Sequence, residues 1–346
     1  MKKTRLGSSD IHVSNLSLGT MTFGRQIDQR NANRLLDVGC DAGINFIDTA
    51  EIYPSPASKE TYGVSEEMLG RWLKRSVLRQ KLILATKVCG PGKFVKWVRN
   101  GVSKFDPESI SSSVNESLKR LSTEYIDLVQ LHWPDRATNF FGKRGFKPPK
   151  EELDFDIVGT LKALTALVQQ GKIRHIGLCN ETPWGLMTFL YKARQLGLEK
   201  VVSLQSPYNL LNRQIEIGIT EVAWRENLGI LAYSPLANGL LTGKYHSRES
   251  SKNFRINRHA HYKRFRVASS MEIAAKYLNV FRKFEINPTK AALKWVASQA
   301  CVCSVIIGVS DERQLVENLN CLETKLPKDL QKSLEKLHKE CPDPCL

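Results

Sequence analysis

The chain has 346 residues, 42% of them hydrophobic and 25% charged, with a formal net charge of +16, a composition that builds a sizeable core and excludes an intrinsically disordered chain. No run of about 18 apolar residues predicts a membrane span, and the start MKKTRLGSSDIHVS carries a basic tip without the apolar stretch of a secretory signal. The eight cysteines (40, 89, 179, 301, 303, 321, 341 and 345) form no CxxC pair, which argues against a disulfide framework or a bound metal and for a soluble protein in a reduced, cytoplasmic setting.

In chain order, a hairpin is expected over residues 2–14. Short β-rich runs then occur at LSLGT (16–20), INFIDTA (44–50), KLILATK (81–87), YIDLVQLHW (125–133), IRHIGLC (173–179), VVSLQSP (201–207), GILAYSP (229–235) and SVIIGV (304–309). Helical patterns separate them. Met68, Leu69, Trp72 and Leu73 share one face, and Ile110, Val114, Leu118 and Leu121 recur at helical period after the Asp106-Pro107 start signal. Ile157, Leu161, Leu164 and Val168 repeat the pattern up to a stop at Gly171. Eight strands, each an apolar run suited to burial on both faces and each followed by a helix, predict an α/β architecture: a parallel (β/α)8 TIM barrel as one domain over 1–346. A doubly wound sheet is the alternative, but no GxGxxG follows the first strand.

Such a barrel needs about 250 residues. The surplus falls in the hairpin, in long loops expected over 134–155 and 238–270 on the C-terminal rim, and in a tail over 339–346. Barrel enzymes build their sites on that rim, so both loops are natural covers for substrate and cofactor. The stretch HSRESSKNFRINRHAHYKRFR (246–266) holds seven Lys or Arg against one Glu. Its charge suits a nucleic acid, an anionic membrane or a phosphorylated small molecule, or simply a solvated loop; no nucleic-acid-binding motif accompanies it, and a nucleic-acid partner is not expected.

The segment NFIDTAEIYPSP ends a buried strand in a carboxylate and places a phenol five residues on. On the barrel, Asp48 ends the second strand, Tyr53 lies in the loop beyond it, Lys87 ends the third strand and His132 the fourth, so all four face one rim. A strand end with a capping Asp and a packed Tyr is the plain alternative for each alone. Together they form a coupled set. A lysine ammonium beside a phenol favours the phenolate and is expected to lower the tyrosine pKa towards neutrality. The aspartate keeps that ammonium charged, and the histidine orients a carbonyl oxygen or helps deliver the proton.

These residues, with LGTMTFG, LATK, LVQLHWP, GKIRHIGLCNE, QSPYNLLNR, AYSPLANGLLTGKY and VIIGVSDERQLVEN in that order, resemble the aldo-keto reductases over nearly the whole chain. HWPDRATNFFGK and SPYNLLNR look most like the Tas branch, which is similar to the potassium-channel β-subunit group. The resemblance implies a nicotinamide dinucleotide, NADPH (NADP+), bound without a Rossmann fold, and reduction of an aldehyde or ketone with Asp48, Tyr53, Lys87 and His132 as the catalytic tetrad and Tyr53 as proton donor. It also implies a cofactor-binding set. Gly19 and Thr20 end the first strand, Asn180 and Gln205 hold the nicotinamide carboxamide, and Tyr233 stacks on the ring. Ser234, Pro235, Leu236, Gly239, Leu240 and Lys244 run beside the pyrophosphate, and Gly308, Arg313, Gln314, Glu317 and Asn318 lie on the adenine side. Cys179 stands where many relatives carry Ser, and Gly308 and Gln314 where some place Lys and Arg; Arg313 and the basic loop offer replacement charge. The same resemblance leaves a second reading, a cofactor-binding regulatory or scaffold subunit with little turnover. The natural substrate and the oligomeric state are not legible.

Overall fold

The computed structural model describes residues 1–101, 104–151, 155–246, 254–258, 262 and 265–345. β1 (Lys3–Arg5) and β2 (His12–Ser14) pair as an antiparallel hairpin. Eight further strands follow: β3 (Leu16–Gly19), β4 (Phe46–Asp48), β5 (Ile83–Val88), β6 (Ile126–Leu131), β7 (Ile173–Cys179), β8 (Val201–Pro207), β9 (Gly229–Tyr233) and β10 (Val302–Ile307). Each pairs in parallel with the next, and β10 returns to β3, closing the expected barrel.

The barrel helices are α1 (Gln29–Asp41), α2 (Val64–Arg75), α3 (Pro107–Leu121), α4 (Ile157–Gln169), α5 (Pro183–Leu196) and α6 (Ile219–Arg225). The short α7 (Arg255–Arg258), α8 (Ala268–Lys283), α9 (Pro288–Ala297), α10 (Glu312–Leu319) and α11 (Lys328–Glu340) complete the chain. Their starts follow from local chemistry. The Asp106 carboxylate caps α3 by accepting from Ser109 N at 2.8 Å, with Pro107 in the first turn where its missing N–H is harmless. Asp156 caps α4 in the same way, and Gly171, at φ 71°, turns the chain out after it. The periodic residues face inward: Met68, Leu69, Trp72, Leu73, Ile110, Val114, Leu121, Ile157, Leu161 and Leu164 are buried in the main core.

Inside the barrel the side chains are layered. Leu6, Ile11 and Val13 of the hairpin pack against Phe46, Ile83, Leu128, Val202 and Leu231, so the N-terminal end is plugged by hydrocarbon. Asn45 clips the hairpin in place, accepting from Ser14 N at 2.7 Å and donating to His12 O at 2.8 Å. Inward positions recur every second residue. Two residues beyond Phe46 stands Asp48, two beyond Ala85 stands Lys87, and beyond Leu128 come Gln130 and His132. The strand period therefore delivers all the polar groups to the C-terminal end.

On that rim the described residues after β6 run without regular structure through 133–151, and those after β9 form short helical turns at Ala237–Thr242 and Lys244–His246. Most of the basic segment 246–266 lies outside the described residues. The C-terminal tail folds back over the rim: Asp343 accepts from Arg213 N at 2.5 Å through its carboxylate and from Arg144 Nη2 at 2.6 Å through its carbonyl. Cys345 N donates to Leu211 O at 3.0 Å, so the tail ties the loop after β6 to the loop after β8. Among the described residues no helix is long and apolar enough to cross a membrane.

Candidate active site

Asp48, Lys87 and His132 reach the mouth of the barrel from β4, β5 and the residue after β6, and Tyr53 from the loop after β4. Lys87 Nζ donates to Asp48 Oδ2 at 2.6 Å and to Thr49 O at 2.8 Å, and it stands 3.5 Å from Tyr53 Oη, at the outer limit of a hydrogen bond. The Tyr53 ring meets the His132 ring edge-on at 5.8 Å. All four expected residues are thus brought together.

Their ionisation follows from burial and from one another. Burial, the largest single influence on Lys87, would lower its pKa, but the Asp48 carboxylate, Tyr53 and Cys179 together outweigh it, so the ammonium is held above its ordinary value. Burial pushes the Tyr53 hydroxyl up to about 12, Lys87 pulling against it and Asp48 adding to it. The expectation of a lowered tyrosine pKa is therefore corrected: Lys87 acts in the anticipated direction, but loss of solvent around the phenol is larger. His132 is driven well below the usual imidazole range by burial and by the Lys87 charge, so its ring is neutral. Its Nδ1 is a buried polar atom without a hydrogen-bond partner among the described residues, which a bound oxygen can satisfy.

The expected cofactor residues line the same rim. Asn180, at φ 56°, donates from Nδ2 to His132 O at 2.9 Å and accepts at Oδ1 from Tyr233 Oη at 2.7 Å. Gln205 faces inward instead, donating to Asp48 Oδ1 at 2.8 Å and to Gln130 Oε1 at 3.2 Å, so its amide nitrogen already serves the tetrad. Thr20 accompanies Gly19 at the end of β3, and both its N and its Oγ1 donate to Asp48 O. Ser234, at φ 52°, is anchored by Asn209 Nδ2 to its carbonyl at 2.9 Å. Pro235 is buried and Leu236 partly so; Leu240 buries its side chain in the core, leaving its backbone to the loop. A Cβ on Gly239 would lie 2.7 Å from Lys244 Cε, so glycine leaves room for that stem.

Where the adenine end is expected, Gly308 is exposed with no atom within 4 Å of a hypothetical Cβ, and α10, which follows it, is capped by Asp311, whose carboxylate accepts from Gln314 N. Arg313 is exposed in the first turn. The Gln314 side chain folds back onto Ser310 Oγ at 2.7 Å and Asp311 Oδ2 at 2.9 Å. Glu317 accepts from Asn287 Nδ2 at 3.2 Å, and Asn318 is buried. The uncrowded Gly308, the cationic Arg313 and Lys244 and an unsatisfied His132 nitrogen fit a dinucleotide and a carbonyl side by side.

Sequence reasoning missed several residues of the site. Gln130 donates to Asp48 Oδ1 at 3.2 Å; as a lone amide two residues before His132 in an apolar strand, it was readable from the inward period. Glu51 is fully buried and accepts from Tyr62 Oη at 2.8 Å, Ser113 Oγ at 2.8 Å and Arg99 Nη1 at 2.7 Å, tying the loops after β4 and β5 together beside Tyr53. Arg136 and Glu181 form a buried ion pair across the loops after β6 and β7. The last two sets join residues distant in sequence, with no local signal.

Comparison with known proteins follows the same lines. The sequence model of the Aldo/keto reductase family matches residues 15–339. Protein tas of Escherichia coli (strain K12) is 38% identical over 338 residues, covering 98% of each chain. An uncharacterized oxidoreductase, YrpG, of Bacillus subtilis (strain 168) is 30% identical over 96% of this chain and 95% of its own. A probable voltage-gated potassium channel subunit beta of Oryza sativa subsp. japonica is 30% identical over 93% of this chain and 92% of its own.

Proposed function

The chain belongs to the aldo/keto reductase family, and from that premise we propose that it reduces aldehyde or ketone carbonyls to alcohols at the expense of NADPH, with Tyr53 as the general acid. The observation that carries this reading is the Asp48–Lys87 pair, sealed at 2.6 Å with its ammonium turned towards the Tyr53 hydroxyl. NADPH, when bound, supplies the hydride for the carbonyl carbon. Asn180 and Tyr233 would hold its nicotinamide end, the backbone of 234–240 with Lys244 its pyrophosphate, and Arg313 its 2′-phosphate. His132, neutral, positions the carbonyl oxygen as a hydrogen-bond partner without adding a second charge beside Lys87. Tyr53 keeps its proton throughout the neutral range. It gives that proton to the developing alkoxide, a stronger base than a phenolate, so the transfer runs downhill. Lys87 steadies the resulting phenolate, and Asp48 keeps Lys87 in place.

The test is NADPH oxidation with a panel of aldehydes, ketones and quinones; tight dinucleotide binding with no turnover on any of them refutes the reductase reading. That outcome is what the second reading expects, a cofactor-binding regulatory or scaffold subunit, which rests on the 30% identity to the probable channel subunit beta.

A further inference from the structure

Arg136 lies four residues beyond His132, and Glu181 one beyond Asn180. Their side chains are 6% and 4% exposed, and the guanidinium grips the carboxylate with two parallel bonds: Nη1 to Oε2 at 3.0 Å and Nη2 to Oε1 at 2.5 Å. Nη2 also donates to Thr182 Oγ1 at 2.9 Å, and Glu181 Oε1 accepts from Thr182 N at 2.6 Å, so the pair holds the start of α5 as well. Gly185, in the first turn of that helix, makes the room: a Cβ there would run into both Glu181 Oε1 and Arg136 Nη2. The Trp184 ring covers the guanidinium at 4.8 Å.

A second cross-link lies beside the first. Asn180 Nδ2 donates to His132 O at 2.9 Å, so two loop starts, 132–136 and 180–182, are joined twice within a few residues. One carries the group that faces the carbonyl, the other the group that faces the carboxamide. A buried ion pair is a poor source of net stability, since desolvation offsets most of its attraction, so fixing geometry is the function its burial suits. We propose that Arg136 and Glu181 are a positioning pair that holds the backbones of His132 and Asn180 in register, so that carbonyl and nicotinamide are presented at one separation. The inference rests on the cofactor reading of Asn180 given above.

The test uses the double variant Arg136→Met with Glu181→Leu, which removes both charges together; Thr182, whose N–H loses its acceptor directly, is left out of the exchange readout. It is expected to fold and to melt within a few degrees of wild type. In the cofactor-free protein, amide exchange at 132–136 and 180–185 should accelerate about tenfold with the barrel strands unchanged. Preference for NADPH over its 3-acetylpyridine analogue, which lacks the carboxamide NH2, should shrink about fivefold, the worth of one hydrogen bond. Hydride transfer in a single turnover should slow by about 10- to 100-fold. Its pH profile should keep its wild-type shape, since Tyr53 and Lys87 are untouched. Wild-type exchange and wild-type discrimination in the double variant overturn the proposal. Should that variant fail to fold, Arg136→Lys, which keeps the charge but loses the fork, is expected to move exchange and discrimination in the same direction, and no movement overturns the proposal equally. Wild-type protein that binds the two dinucleotides alike, or neither, sinks the reading of Asn180 instead, while the exchange measurement still decides whether the pair registers the two loops.

Discussion

Lys87 Nζ and Asp48 Oδ2 lie 2.6 Å apart, and neither side chain reaches solvent: the lysine is 0% exposed and the aspartate 3%. The other Asp48 oxygen accepts from Gln205 at 2.8 Å and Gln130 at 3.2 Å, so both carboxylate oxygens are engaged and held from three sides. Asp48→Asn keeps the shape but leaves a buried ammonium without its counter-charge. Stranding one member of a buried pair typically costs about 3–5 kcal/mol, and a loss in that range is expected in guanidinium unfolding. A loss below about 1 kcal/mol would mean that water reaches Lys87 and that the pair is not sealed.

A neutral imidazole buried beside an ammonium makes stability depend on pH. The folded-state pKa of His132 is depressed, so the unfolded chain binds its proton first as pH falls. The stability contributed by the neutral ring is complete above the unfolded value of about 6.5 and is lost as pH drops below it, by about 1.4 kcal/mol between pH 7.5 and 5.5. His132→Asn should remove that share of the acid slope. Urea midpoints for both proteins at the two pH values make the comparison, and identical slopes would show that His132 already titrates normally.

The barrel was legible because its signals are local. Apolar runs of β-branched residues, Asp-Pro and Asp caps and the period of two within β4, β5 and β6 each act within a few residues, and together they placed the tetrad on one rim. Strand limits were less so: the run 44–50 contributes Phe46–Asp48 to the sheet, since Asn45 turns its side chain to the hairpin. What stayed hidden depends on packing between loops. Nothing near Gln205 tells that its amide points at Asp48, 157 residues away. Arg136 and Glu181 are likewise separated by 45 residues and by a whole helix. The Tyr53 pKa is not legible for a related reason: proximity to Lys87 follows from strand order, whereas the extent of desolvation is a property of the finished mouth.

Cofactor choice is expected to favour NADPH over NADH. Gly308 opens the backbone ahead of α10, Arg313 is exposed in its first turn, and the neighbouring Glu312 is drawn aside by its ion pair with Arg34. A charge-assisted contact to the 2′-phosphate contributes about 1.5–3 kcal/mol, so Arg313→Ala should narrow the preference by about tenfold or more without weakening NADH. Titration of the intrinsic fluorescence with both dinucleotides in moderate salt measures it. Equal dissociation constants for wild type would remove the argument for NADPH.

Tyr53→Phe removes one hydroxyl and keeps the ring that meets His132 edge-on at 5.8 Å, so the variant should fold and bind NADPH nearly as well as wild type. Carbonyl reduction should fall by about two to four orders of magnitude, with the loss in the chemical step. Because the hydroxyl sits at about 12, wild-type single-turnover reduction should show no break between pH 7 and 10 that Tyr53→Phe abolishes. Lys87 pulls the Tyr53 pKa down, so Lys87→Met should raise it further and weaken the proton transfer from a phenol that is still present. If the two residues work as one path, the double variant should be little worse than either single one. Losses that add on a logarithmic scale would show that Lys87 acts on something other than Tyr53. A Tyr53→Phe protein reducing a reactive aromatic aldehyde at the wild-type rate would leave the proton without a donor here, and the mechanism with it.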